Sequence, residues 1–198
     1  MNESASRLFT FAALLLALIL GACSSSSPPP PLEGASMGGA FTLTNQEGRR
    51  VSDRDFAGKY RLVYFGYTFC PDVCPVDMQV IGAGLRLFEA EDADRAARVQ
   101  PIFITVDPAR DTPPVLREFT ANFHPRLIGL TGTPAQVKAA ADAFKVFYEK
   151  APATADGAYM VNHSTVTYLF GPKGEPLATI PTDQGPDAVA AELEKWVS

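Results

Sequence analysis

The sequence predicts an α/β domain of three layers built on a mixed central sheet. Three observations carry that reading. Strand-like apolar runs alternate with helical patterns, the chain finishes on an antiparallel hairpin and a helix, and a cysteine pair sits where the first buried strand gives way to a helix. That last position is where a redox-type pair lies in a thioredoxin-like fold, so this is the fold class expected, with an N-terminal β-hairpin as an extension.

The elements follow in order. "AFTLTNQEGRRVS", residues 40–52, alternates apolar and polar residues around Glu47-Gly48, the pattern of a hairpin. "KYRLVYFGY" is apolar on both faces, as a buried central strand must be. From about Asp72 to Ala97, Val76, Val80, Leu85 and Phe88 recur at helical spacing. "VQPIFITVD" reads as a second buried strand, and "TPPVLREFTANF" as a helix whose prolines suit its first turn. "RLIGLTG" is a third strand. Thr133 and Gln136 then form the ends of a capping box for the helix "AQVKAAADAF". "KVFY" reads as a short strand and residues 149–158 as a loop. "STVTYLF" and "PLATIP" flank the turn "GPKGE" as a hairpin, and "PDAVAAELEKWV" closes the chain as an amphipathic helix.

The 198 residues are 46% hydrophobic, enough for one buried core. With 17 basic and 22 acidic residues and no Lys/Arg-rich stripe, the chain has no electrostatic footprint for nucleic acid. The N-terminus is distinctive. Arg7 precedes "LFTFAALLLALIL", a run short of the roughly 20 residues of a membrane span but suited to a signal-peptide core. Its ending, Leu20-Gly21-Ala22-Cys23, resembles the lipobox of bacterial lipoproteins, in which the cysteine is acylated. Residues 1–22 are therefore expected to be a lipoprotein signal peptide. Residues 23–39, Cys23 and a Ser/Pro/Gly-rich stretch, are the lipid-bearing linker, and residues 40–198 are the working domain. Read as a leader or as a short uncleaved anchor, the run puts the domain outside the cytoplasm, tethered to a membrane.

With Cys23 assigned to lipid, Cys70 and Cys74 remain. Their loop is so small that a disulfide would remove little entropy from the unfolded chain, which makes a purely structural staple a poor use of them. A helix N-terminus favours thiolate, the form that both attacks disulfides and binds soft metals, so position alone does not choose between the two chemistries. Spacing leans one way: thioredoxin-type reductases use C-x-x-C, whereas "CPDVC" has one residue more, a turn that lets both sulfurs face one outside point. Two soft sulfurs hold Cu(I), and a nitrogen ligand makes such a site trigonal. The two histidines are His124, in "NFHPR", which reads as an exposed helix-end residue meeting the dipole, and His163, in "YMVNHSTVTYLF", at the entry to the terminal hairpin.

"GYTFCPDVCP", then "VDPARDTP", then "VNHS" ahead of a strand resemble the Sco/SenC family, with all three motifs in family order over about residues 40–198. The resemblance implies a thioredoxin-like protein that assists assembly of the copper centre of cytochrome c oxidase. It matches Cys70, Cys74 and His163 to the family's copper ligands, Asp72 to an acidic residue that tunes the site's charge, and Asp107 and Asp111 to an acidic pair. The pair has an adequate local reading, strand end and helix N-cap, and is given no catalytic role. Where the family commonly has aspartate before the histidine, this chain has Asn162, which puts carboxylate support of the imidazole, and with it copper affinity, in question. The implied cargo is Cu(I), with Cu(II) reachable through an added oxygen ligand. The implied partners are a copper-receiving oxidase subunit, a copper donor or thiol reductant, and the membrane. The alternative is a thiol-disulfide oxidoreductase that reduces the target's cysteines.

Overall fold

The computed structural model describes residues 28–198; the expected leader, Cys23 and Ser24 to Ser27 lie outside the described residues. Nine strands and five helices follow one another. They are β1 (Thr42–Asn45), β2 (Arg50–Ser52), β3 (Tyr60–Gly66), α1 (Val73–Glu91), α2 (Ala93–Ala96), β4 (Val99–Thr105), α3 (Pro113–Thr120), β5 (Ile128–Thr131), α4 (Pro134–Ala143), β6 (Tyr148–Lys150), β7 (Val161–His163), β8 (Thr167–Phe170), β9 (Pro176–Ile180) and α5 (Pro186–Trp196). Seven strands form one sheet in the order β2-β1-β5-β4-β3-β8-β9. Its centre, β5-β4-β3, is parallel, and both flanks are antiparallel, which is the mixed sheet expected. The N-terminal hairpin does not stand apart: β1 pairs with β5 and extends the sheet.

The all-apolar pattern of β3 has its cause in the two layers that cover it, since all seven of its residues are buried. Side chains alternate between faces along a strand, so Tyr64 and Phe65 point opposite ways. Tyr64 stacks on Phe103 of β4, which meets Phe119 of α3, while the Tyr64 hydroxyl reaches Asp77 of α1. Phe65 meets Phe144 at the end of α4 on the other face, 5.4 Å between centroids. Helix α5 packs on α1, where a Cβ at Gly84 would stand 2.6 Å from Val189, so only glycine allows that approach.

Several local expectations need correction. The long helix breaks at Asp92, whose backbone is extended and whose side chain caps the short α2 by accepting from Arg95 N–H. Its buried face is Cys74, Met78, Ile81, Leu85 and Phe88; Val76 is exposed and Val80 only partly covered, because they lie off that stripe. The short strand at "KVFY" begins only at Tyr148 and runs into the expected loop. His163 is on β7, which pairs with β6 in a separate two-stranded sheet, and not on the terminal hairpin, which starts at Thr167. The capping box of α4 is present as read, Thr133 with Gln136. The stretch drawn as a spacer joins the domain before residue 40: Leu32 and Met37 pack on the core, and Leu32 N–H donates to the Leu177 carbonyl at 3.0 Å.

His124 is the plainest reversal. It is buried, 3% exposed, its Nδ1 accepting Arg126 N–H at 3.2 Å and its Nε2 lying 3.3 Å from Glu89, which also binds Arg126. Burial holds its pKa below the ordinary histidine value of 6.5. The neutral form therefore stabilises the fold, and that contribution is lost as pH falls below 6.5, where the unfolded chain takes up the proton first. His124→Gln should cost about 1–3 kcal/mol near neutral pH by leaving buried partners unmatched. Having nothing to titrate, the variant should lose less on acidification. Melting curves should therefore show its deficit narrowing between about pH 6.5 and pH 5.

Candidate metal centre

The end of β3 builds the first half of the site. The chain leaves the sheet at Gly66, and Cys70 N–H donates to the Tyr67 carbonyl at 3.2 Å, closing a turn that carries Cys70 to the mouth of α1. Asp72 is the exposed N-cap residue, and its side chain makes no cap hydrogen bond. Cys74 is the second residue of the helix, where Pro75 is tolerated because first-turn N–H groups have no helical partner. Cys74 is fully buried and Cys70 is 9% exposed. Both are free thiols.

The second half arrives from β7. His163 Nε2 lies 3.2 Å from Cys74 Sγ, and the three candidate ligand atoms of Cys70, Cys74 and His163 lie within 4.8 Å of one another. Among the described residues this is the group of three such side chains that can hold a metal ion. The imidazole is oriented by its other nitrogen: Nδ1–H donates to the Ser164 carbonyl at 3.0 Å, leaving the Nε2 lone pair toward the sulfurs. Tyr64 and Tyr67 meet the ring edge-on, at 6.3 and 5.8 Å between centroids. Asn162, exposed and pointing away from His163 along the strand, takes no part in this. The partner of the imidazole is thus a backbone carbonyl, that of Ser164, and not a side chain at position 162.

The expectation that helix position favours thiolate fails for Cys74. Burial pushes its pKa up to about 12, with the neighbouring Cys70 adding to the shift. Desolvation of a charge in an apolar wall outweighs the partial charges of one helix end. A soft cation entering between the sulfurs must therefore displace a proton from Cys74. The donor set itself, two thiols and an imidazole nitrogen, fits a soft, low-coordinate ion such as Cu(I).

What holds the two halves together is the segment "VDPARDTP". Asp111 is buried and accepts from Thr68 N–H at 3.0 Å, Thr68 Oγ1 at 2.6 Å and Thr105 Oγ1 at 2.6 Å. It is not the helix N-cap, which is Thr112. Burial keeps its pKa above the ordinary carboxylate value even against those hydrogen bonds. Asp107 accepts from Tyr159 Oη at 3.0 Å and pairs with Arg110. The Arg110 guanidinium lies over Tyr159 at 3.7 Å, Phe69 at 4.9 Å and Tyr67 at 5.5 Å. Tyr67 and Phe69 belong to the Cys70 turn and Tyr159 to the approach to His163, so one cation ties both ligand-bearing segments. Sequence reasoning singled out this motif but explained it locally, and missed Arg110, Tyr67 and Tyr159. The available signal was a charged cluster with more residues than a strand end and a cap require.

The SCO1/SenC family model matches residues 29–198. Protein SenC of Rhodobacter capsulatus is 48% identical over 157 residues, which is 79% of this chain and 68% of SenC. The human mitochondrial SCO1 homolog is 36% identical over 79% of this chain, but this chain spans only 52% of that relative's length. Among solved structures, ScoI of Bradyrhizobium japonicum with copper bound superposes with a TM-score of 0.73 at 38% identity, covering 81% of this chain and 99% of the other.

Gly66 is the position where the sheet constrains the site. An added Cβ would stand 3.0 Å from Cys74 Sγ, 2.8 Å from the Tyr64 ring and 3.0 Å from the Phe103 ring. Gly66→Ala should destabilise the domain by about 1–3 kcal/mol through overpacking. It should also push Cys74 away from His163, so metal titration should show weakened binding alongside the shift in denaturation midpoint.

Proposed function

The chain belongs to the SCO1/SenC family, and from that premise we propose that it is a membrane-tethered copper-binding protein that delivers copper to a subunit of cytochrome c oxidase. The single observation that carries the copper reading is the approach of His163 Nε2 to Cys74 Sγ, 3.2 Å, inside a group whose ligand atoms span 4.8 Å. Cys70 and Cys74 supply thiolates that favour Cu(I), and His163 supplies nitrogen, which Cu(II) prefers in a fuller shell. The thiol-disulfide reductase alternative uses the same sulfurs but gives His163 no task. A carbonyl-oriented imidazole brought from a separate sheet against the cysteine favours the metal reading over it.

Delivery between proteins is ligand exchange, so it needs a site at a surface with room for a partner. Phe69, Val76, Phe147, Met160 and Val166 are exposed large apolar side chains. Phe69 precedes Cys70, Val76 follows Cys74 by two residues, and Phe147 is next to the strand partner of His163. Met160 and Val166 bracket His163 in sequence. Exposed apolar side chains this close in sequence to a polar centre have the composition of a docking face.

The test is graded by oxidation state. The reduced full chain should bind a single copper ion, and Cys70→Ser or Cys74→Ser should abolish tight binding. His163→Ala should leave weak Cu(I) binding but lower Cu(II) affinity by more than the roughly 10–100-fold that loss of an outer-shell partner costs. The same variant should reduce a small disulfide at near wild-type rate, because thiol exchange depends on thiolate fraction, leaving group and access. If His163→Ala cells mature their oxidase normally under copper limitation while Cys70→Ser cells do not, the reductase reading replaces this one.

The tether rests on "LILGAC" in the sequence. Cys23→Ala should block acylation, leave an unprocessed precursor, and release no mature chain carrying lipid. Mass spectrometry of the wild-type membrane fraction that finds Cys23 unmodified behind an intact leader removes the anchor from the proposal.

A further inference from the structure

A third sulfur is linked to the three candidate ligands through Tyr67. Met160 is 45% exposed and lies three residues before His163, directly ahead of β7. Its Sδ accepts a hydrogen bond from Tyr67 Oη at 3.8 Å. Tyr67 in turn touches both halves of the centre. Its ring lies edge-on to His163 at 5.8 Å, and its carbonyl accepts the Cys70 N–H at 3.2 Å. Met160 is thus held by a hydroxyl group that belongs to the wall of the site, on the side open to solvent.

The burial gradient gives this placement a direction. Cys74 is closed off, Cys70 is 9% exposed, His163 is half-buried, and Met160 is outermost. The side of the centre nearer solvent is thus that of Cys70, His163 and Met160. A thioether is a soft donor that suits Cu(I), is neutral, and needs no deprotonation to bind. Its unbranched side chain has three rotatable bonds, so it can follow a ligand outward.

Resting on the copper reading, we propose that Met160 is an exit ligand: its Sδ takes a position on Cu(I) as His163 lets go. In that step one Cu–S bond to the thioether forms and the Cu–N bond to His163 breaks. Copper stays monovalent, and no proton or electron moves. The ion never drops to the two thiolates alone, so exchange does not pass through a less coordinated state. Tyr67 Oη parks the thioether at the rim between transfers.

The test uses the full chain, reduced, loaded with Cu(I) without oxygen and held in detergent. Transfer to the small Cu(I) chelator bathocuproine disulfonate is followed by stopped flow, which removes any contribution from protein docking. Met160→Leu keeps the volume of an exposed side chain and should keep the fold, checked by circular dichroism. It should slow transfer by roughly tenfold, the low end for losing a group that supports a metal site, while equilibrium Cu(I) affinity stays within about twofold. Tyr67→Phe removes the parking hydrogen bond and should transfer at least as fast as wild type. A Met160→Leu transfer rate equal to wild type overturns the proposal. A fall in Cu(I) affinity of tenfold or more also overturns it, because Met160 would then be a resident ligand. Failure of the wild-type chain to load Cu(I) at all would instead bring down the copper reading beneath it.

Discussion

The metal centre depends on how one buried carboxylate is satisfied. Asp111 has no exposure, and a charge taken out of water is tolerable only when hydrogen bonds replace its hydration. Its bonds come from the Thr68 backbone, the Thr68 hydroxyl and the Thr105 hydroxyl. Those donors lie on either side of the sheet's C-terminal edge, one in the turn that delivers Cys70 and one at the end of β4. Removing the carboxylate would orphan three donors and free the turn at once, because the same bonds that pay the desolvation cost also set the turn's position. The next residue but three back, Asp107, holds Arg110 and Tyr159, and so extends the constraint to the segment that carries His163.

Burial and helix position pull Cys74 in opposite directions. The first turn of α1 favours a negative sulfur, yet burial of Cys74 excludes water and favours the neutral thiol. The second effect is larger in the metal-free protein. A cation placed between the sulfurs reverses the balance, since it supplies locally the charge that water does not. A site of this kind discriminates against weakly bound, hard cations, which cannot displace the proton from a soft donor.

The centre also sits at an edge between order and access. Its inner candidate ligand, Cys74, is on a long helix whose buried stripe continues through Met78, Ile81, Leu85 and Phe88 into the core. Its outer candidate ligand, His163, is on a two-stranded sheet, an element of low intrinsic stability that leans on the Arg110 stack and on the Tyr64 and Tyr67 rings. The inner wall of the centre is thus anchored in the core, and the outer wall is held by fewer contacts.

Much of the fold and the residues of the candidate centre were legible in the sequence. Short runs apolar on both faces and rich in β-branched and aromatic residues suit central strands, and so "YRLVYFG" and "VQPIFIT" marked the parallel core. Prolines, a capping box and a Gly/Pro turn punctuated the chain through local backbone chemistry, which needs no distant partner. Cys70, Cys74 and His163 were found through the three motifs and their order. Only the tertiary structure decided the rest, because it turned on contacts distant in sequence. His124 looked like an exposed helix end, but Glu89 and Arg126 close over it. Val76 looked like core from its spacing, but the helix is rotated so that Cys74 takes the inward place. Asp111 looked like a cap because its partner Thr68 lies 43 residues away. Cys74 looked like a thiolate because a sequence displays helix ends and not the depth of a wall, and depth is what sets the charge of a sulfur.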